Sequence, residues 1–318
     1  MTTVQEVVDL GGVSRMMDRV EERLAHVCSG HGPVLARYAG ETIAAGGKRL
    51  RPLVVCLAAG SPPPESAGLL RAAVAVELVH SATLVHDDVL DRAALRRGRP
   101  TVVASAGRTV ATATGDLLFS RAFAELAGAG SSQAVRVLSR ACSELARGEL
   151  MQRTDAYAQQ VSVARYLERS RLKTAVLFRA ACELGALFGG GSLESLAGFG
   201  EQIGLAFQLL DDVLDVAGPP ERTGKPRGTD LLDGTVTLPL IVARERDRSL
   251  AALDLRTVRT ADEAAAVCDR ISATGALSIA RQRALELVAG AKGELPKLPD
   301  RQRAALELVA DRVVERYV

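Results

Sequence analysis

The chain is 318 residues long and 47% apolar, which is enough for a substantial core and argues against disorder. Forty Lys and Arg against 38 Asp and Glu leave a net charge of +2, without the basic excess of a nucleic-acid binder. Trp is absent and aromatics make up 3%, so base-stacking platforms and aromatic-cored sandwiches are excluded as well.

The start, MTTVQEVVDLGG, has acids early and no basic n-region before an apolar stretch, so it does not read as a signal peptide. No uninterrupted apolar run approaches ~18 residues, and no transmembrane segment is expected. Cys28, Cys56, Cys142, Cys182 and Cys268 are scattered and never form a CxxC pair. Reduced thiols in a cytoplasmic protein are the expectation.

In chain order, helical periodicity covers about 13–28, 33–45 and 50–59. It continues over 69–95, about seven turns without Gly or Pro, and over 109–128, 133–153, 161–188 and 193–216. The last helical stretches are 234–246, 262–289 and 299–317. No convincing run of alternating strand residues occurs. Gly60-Ser-Pro-Pro-Pro, Gly189-Gly-Gly-Ser and Pro219-Pro-Glu-Arg-Thr-Gly are loops, too short for interdomain linkers. The expectation is one all-α domain over 1–318, a large helical bundle.

One pentapeptide occurs twice, as Asp87-Asp88-Val89-Leu90-Asp91 and Asp211-Asp212-Val213-Leu214-Asp215. First and fifth residues share a helix face, where like charges repel, and a helix C-terminus disfavours anions further. A single DDxxD is equally well a solvated acidic face. Two copies set among Val79, Leu84, Val85, Leu205, Phe207 and Leu209 point instead to a bound cation. All-carboxylate ligands select Mg²⁺ over zinc, and His86 beside the first copy reads as a packing neighbour. Mg²⁺ takes few protein ligands and fills its shell with water and phosphate, so a polyphosphate ligand is expected.

Basic residues recur around these motifs. Gly46-Gly-Lys-Arg-Leu-Arg-Pro52 opens a helix but lacks the Walker pattern, and Arg96-Arg97-Gly98-Arg99-Pro100 follows the first acidic motif. Lys173-Thr174 and Gly224-Lys225 come later. Alone, each is ordinary surface charge; their occurrence together with two DDxxD motifs is not.

These segments resemble the all-trans polyprenyl diphosphate synthases. The resemblance rests on GGKRLRP at 46–52, ELVHSATLVHDDVLD at 77–91, RRGRP at 96–100, GD at 115–116 and KT at 173–174. It continues in FQLLDDVLD at 207–215, GKPRGTD at 224–230 and TLP at 237–239, and so spans nearly the whole chain. It implies an isoprenoid-synthase helical bundle around a central cavity, usually homodimeric. By the same resemblance Asp87, Asp88, Asp91, Asp211, Asp212 and Asp215 hold three Mg²⁺ ions, which bind the diphosphate of an allylic substrate together with Arg96, Lys173 and Lys225. Lys48, Arg51, His80 and Arg97 match the isopentenyl diphosphate site, with Gly47 giving close backbone approach. Thr174 and Gln208 match positions around the reacting carbons. Thr235 stands where many relatives carry Lys, which removes one cationic contact.

The expected reaction is Mg²⁺-dependent head-to-tail condensation of isopentenyl diphosphate with an allylic diphosphate. Without metal the acidic clusters would repel a diphosphate, since one charge pair at ~4 Å costs ~4 kcal/mol at an effective dielectric constant of ~20. A terpene cyclase needs no second diphosphate site, and a non-catalytic partner subunit would be expected to have lost acids that this chain keeps. A catalytic subunit of a heteromeric synthase is the remaining alternative to a homodimer.

Product length is read from one helix face. His80, Thr83, Asp87 and Asp91 line up, with Val79 and Val76 about one and two turns deeper than Thr83. Short-chain relatives close the tunnel with aromatics at the positions of Ala82 and Thr83, which are small here. An open tunnel implies products of about C30–C50 by analogy, against a C15–C20 alternative. Phe123 is a candidate floor.

Overall fold

The computed structural model describes residues 3–96, 98–218 and 226–315. Arg97 and Lys225 lie outside the described residues. The chain is all-α, with one minimal hairpin in which β1 (Leu95–Arg96) pairs antiparallel with β2 (Arg99–Pro100). Its contacts gather into two compact units, described here in turn.

The first unit comprises 1–142, 177–200 and 295–309. It holds α1 (Thr3–Gly11), α2 (Ser14–Val27), α3 (Pro33–Ala44), α4 (Leu50–Ala59), α5 (Ala67–Leu90) and α6 (Val102–Gly128), with the first half of α7 (Ser132–Asp155). Helix α5 starts at Ser66, whose hydroxyl accepts the Leu69 N–H at 3.0 Å. Leu69, Val74, Val76, Leu78 and Val79 on α5 have no exposed surface, and each fully buried side chain of this kind contributes roughly 1.5–3 kcal/mol. α5 packs along α6 more extensively than any other helix pair and also meets α4 and α2. Helix α5 is long and apolar enough to cross a membrane, although charged residues break up its apolar run; two-thirds of its most apolar stretch is buried inside the protein, as in a core helix.

The second unit comprises 143–176, 201–294 and 310–318. Helix α8 (Val163–Ser170) is capped by Ser162, whose hydroxyl accepts the Arg165 N–H, and passes into a π-helical turn at Arg171–Ala175 before α9 (Val176–Phe188). Helix α10 (Ala197–Ala217) carries the second acidic motif, and the short α11 (Thr229–Leu232) follows. Helices α12 (Leu238–Arg246), α13 (Arg248–Ala251), α14 (Ala261–Ala273) and α15 (Ala276–Gly293) follow, whereas α9 from Leu177 and α16 (Asp300–Glu315) up to Val309 belong to the first unit.

Three expectations need correction. The helix expected to reach Leu95 ends at Leu90, because Arg92 takes a left-handed φ of 52° and the chain turns into the hairpin. The stretch 262–289 is two helices, separated where Gly275 adopts a φ of 77°. Helix α1 lies outside the stretches expected to be helical, and it buries Val7 and Val8.

Candidate active site

The C-terminal turns of α5 present Asp87, Asp88 and Asp91. Asp88 is buried, Asp87 half-buried and Asp91 exposed. The β1–β2 hairpin turns the chain back so that Arg96 Nε donates to Asp88 Oδ1 at 2.8 Å. Thr101 secures the far end of that hairpin: its hydroxyl donates to the Ala93 carbonyl at 2.6 Å and also caps α6 through the Ala104 N–H. His86 turns toward α6, with Nε2 3.3 Å from the Thr112 carbonyl oxygen and 3.4 Å from Asp116 Oδ1. Its ring lies 5.7 Å from that of Phe119. A Cβ at Gly115 would overlap the imidazole, which gives the glycine of the GD pair a steric reason.

The GGKRLRP loop leads into α4 through Arg49, whose φ of 46° is left-handed. That conformation costs about 1–2 kcal/mol for an L-residue. It is held by bonds from Arg49 to Glu21 at 2.6 Å, Glu77 at 2.8 Å and the Ile43 carbonyl at 2.8 Å. Gly47 and Lys48 are exposed at the loop tip. Arg51 points inward instead, its guanidinium 4.6 Å from the Phe178 ring centre and its Nε buried without a hydrogen-bond partner. Burial lowers the Arg51 pKa to about 10, against the opposing field of Glu77. A cavity of about 470 Å³ adjoins the loop, lined among others by Gly46, Arg49, His80, Asp88, Arg96 and Arg99.

In the second unit α10 presents Asp211 exposed, Asp212 buried and Asp215 half-buried. A chain of hydrogen bonds ends on Asp212. Thr174 donates to Gln208 Oε1 at 2.6 Å, Gln208 donates to Asp212 Oδ1 at 2.7 Å, and the Tyr166 hydroxyl donates to Asp212 Oδ2 at 2.6 Å. Asp230 joins the cluster from α11, its backbone N–H donating to Asp215 Oδ2 at 3.2 Å. Burial, then the neighbouring charge of Asp230, hold the Asp212 and Asp215 carboxyls well above the usual carboxylate range.

Lys173 and Thr174 sit in the π-helical turn, a feature that recurs at functional sites. Lys173 Nζ lies 2.6 Å from Glu149 Oε2 on α7. Burial raises the Glu149 pKa, but Lys173 and Arg153 outweigh it and hold the group ionised below its ordinary value. Gly148 lets α7 approach this closely, since a Cβ there would stand 2.6 Å from the Lys173 backbone nitrogen.

Among the described residues no three His, Cys, Asp or Glu side chains already converge as a metal centre. The donors nonetheless suit a hard divalent ion. They are carboxylates only, and in the second unit burial, then neighbouring negative charge, disfavours ionisation of Asp212 and Asp215. Of the residues expected to gauge product length, Val79 and Ala82 have no exposed surface, whereas Thr83 and Phe123 keep part of theirs. The Thr83 hydroxyl donates to the His80 carbonyl at 2.7 Å.

Sequence reasoning missed Arg49, Glu149, Tyr166 and Asp230 as site residues. For Arg49 and Asp230 the signal was present, since both belong to the GGKRLRP and GKPRGTD segments. Nothing in the local pattern marked Glu149 or Tyr166.

The family model described as Polyprenyl synthetase matches residues 33–272. The chain is 43% identical to heptaprenyl diphosphate synthase component 2 of Geobacillus stearothermophilus, over 81% of this chain and 82% of that protein. It is 36% identical to geranylgeranyl diphosphate synthase of Methanosarcina mazei, over 95% and 98% respectively. Among solved structures, the polyprenyl synthase of Caulobacter crescentus complexed with calcium and isoprenyl diphosphate superposes with a TM-score of 0.93 at 35% identity, covering 99% of this chain and 98% of that one. The fold is thus that of the isoprenoid synthases, and the chain belongs to the polyprenyl synthetase family. It is an enzyme, a prenyltransferase of the prenyl diphosphate synthase class.

Proposed function

We propose that this enzyme condenses isopentenyl diphosphate with an allylic diphosphate in a Mg²⁺-dependent, head-to-tail reaction and releases long all-trans chains of about C30–C50. The observation that carries the metal reading is the gathering of Asp211, Asp212, Asp215 and Asp230 in the second unit, where burial and then the charge of Asp230 disfavour the charged forms of Asp212 and Asp215. A multivalent cation reverses that penalty. Asp87, Asp88, Asp91, Asp211, Asp212 and Asp215 are the ligands, with three Mg²⁺ per active site. Bound there, the metal supplies Lewis-acid stabilisation of the charge on the departing diphosphate.

The chain's own residues do the rest. Arg96, Lys173 and Lys225 bind the allylic diphosphate, while Lys48, Arg51, His80 and Arg97 bind isopentenyl diphosphate, with Gly47 allowing close approach. Ionisation of the allylic C–O bond leaves a cation that the isopentenyl double bond attacks; a proton then leaves from the carbon beside the new tertiary cation, and its C–H electron pair forms the product double bond. The acceptor of that proton is an oxygen of the released diphosphate. Thr174 and Gln208, already bonded to each other, orient polar groups beside the reacting carbons. Apolar walls keep water from capturing the cation.

The long-chain reading rests on Thr83 and Ala82, both small, before the first DDxxD. A homodimer in the cytoplasm is the proposed setting. The Geobacillus relative's designation as component 2 favours one second reading, in which this chain is the catalytic subunit of a heteromeric synthase. The test is incubation of the purified chain alone with Mg²⁺, radiolabelled isopentenyl diphosphate and C5, C10, C15 or C20 primers, followed by product-length analysis. Products of C30 or longer support the proposal. Products that stop at C15 or C20 refute the length, and activity only with added cell extract favours the heteromeric reading.

A further inference from the structure

Arg169 is 3% exposed, yet it is two residues from the π-helical turn and belongs to none of the segments that carry the family resemblance. Its guanidinium makes three contacts at once. It pairs with the equally buried Asp155 at 3.4 Å, donates to the Val236 carbonyl at 2.6 Å, and lies 5.5 Å from the centre of the Tyr166 ring. A buried ion pair is a poor way to gain stability, because well-packed apolar side chains of similar volume serve as well or better. A planar guanidinium that can pair, donate and stack together is suited to holding several groups in a fixed relation.

The groups it holds lead to the second aspartate cluster by two routes. On one side, the Tyr166 ring under Arg169 carries the hydroxyl that donates to Asp212 Oδ2 at 2.6 Å. On the other, Val236 belongs to the 234–237 segment, where the Thr235 N–H donates to the Asp230 carbonyl at 2.7 Å. The Asp230 N–H in turn donates to Asp215 Oδ2 at 3.2 Å. The same segment is tied a second time, by the Tyr157 N–H to the Gly234 carbonyl at 2.8 Å, from a tyrosine held at a φ of 61° two residues after Asp155.

The geometry points to Arg169 as a positioning residue for the second metal cluster, bracing Asp212 through Tyr166 and Asp215 through the 234–237 segment. It rests on the metal reading given above. Arg169 touches neither metal nor substrate in this role; it sets the angle at which two carboxylates meet the ion. Asp155 matters because it keeps the guanidinium in place, assisted by Arg165, whose Nε donates to Asp155 Oδ1 at 2.6 Å.

The test is Mn²⁺ binding in the presence of inorganic diphosphate, followed by electron paramagnetic resonance, on wild type, Arg169→Met, Arg169→Lys, Tyr166→Phe and Asp215→Ala. Circular-dichroism melts report the fold of each. Arg169→Met should weaken Mn²⁺ binding by about 10–100-fold, the range for outer-shell partners of a metal site, with Arg169→Lys giving a smaller loss. The Michaelis constant for isopentenyl diphosphate should stay at the wild-type value. If Arg169→Met fails to fold, Arg169→Lys and Tyr166→Phe, which keep the charge pair with Asp155, decide the matter by the same loss. Wild-type Mn²⁺ affinity in the folded Arg169 and Tyr166 variants, with only melting temperature lowered, would overturn the inference while Asp215→Ala still shows the metal site. If wild type binds no Mn²⁺ and Asp215→Ala is indistinguishable from it, the metal reading falls, and this inference with it.

Discussion

Arg96 Nε donates to Asp88 Oδ1 at 2.8 Å, so a residue proposed to bind diphosphate is paired with a proposed metal ligand. The pair neutralises a buried carboxylate. On the proposed reading Asp88 would hold metal and Arg96 would bind the diphosphate, so binding would replace this pair. Arg96→Ala should raise the Michaelis constant for the allylic primer by about 10–100-fold, the worth of a hydrogen bond to a charged group. An unchanged primer constant would show that Arg96 serves Asp88 alone.

Each aspartate cluster is proposed to hold metal that would stabilise the charge on the departing diphosphate. Asp87→Ala or Asp211→Ala should lower turnover by about two orders of magnitude or more at saturating substrate and Mg²⁺, with the fold intact. Removing one of several crowded like charges leaves the metal-free protein as stable as wild type or more so. Turnover and a thermal melt on the same preparation measure both.

The raised carboxyls of Asp212 and Asp215 also make stability depend on pH. An unfolded Asp titrates near 4, whereas burial and the charge of Asp230 push the folded groups higher. The stabilising effect of keeping them neutral is complete below about pH 4 and is lost as pH rises through the folded-state values. In the presence of a chelator, the contribution of these two groups should therefore lower the melting temperature from about pH 5 to pH 9. Asp212→Asn should flatten that decline, and wild-type steepness in the variant would contradict it.

A variant at Arg51 tests the proposed division between the two substrates. Its guanidinium is buried against Phe178 beside Glu77, in the unit that holds the GGKRLRP loop. Arg51→Ala should raise the Michaelis constant for isopentenyl diphosphate far more than that for the primer. Equal effects on both would place the GGKRLRP loop with the wrong substrate.

Thr83 is half-buried one turn before Asp87, whereas Ala82 beside it has no exposed surface. Thr83→Phe can therefore turn its ring outward from the core and across the path of a growing chain. Products should shorten to about C15–C20 with the first condensation retained. If long products persist, elongation follows a different face.

Much of this was legible in the chain itself. Helical periodicity puts the starts of α5 and α8 within about two residues of where the Ser66 and Ser162 caps set them, but it begins α6 at 109 and misses the turns capped by Thr101. The two DDVLD repeats mark α5 and α10 without any knowledge of packing. What could not be read arises from contacts distant in sequence. Tyr166 reaches Asp212 across 46 positions and Arg169 reaches Val236 across 67. The π-helical turn was equally hidden, because Arg171–Ala175 is an ordinary helical sequence until Gly148 allows α7 against it.

Helix α5 is both the spine of its unit and the carrier of its chemistry, and that restricts how the enzyme can diversify. Val76, Val79 and Ala82 are sealed against neighbouring helices, so a larger residue there must displace its surroundings before it can touch a product. His80, Thr83, Leu84 and Asp87 keep access to the outside, and a new side chain at Thr83 or Leu84 need not disturb the core. Heritable changes in product length should therefore collect on that narrow stripe, where selection can try alternatives at small thermodynamic risk.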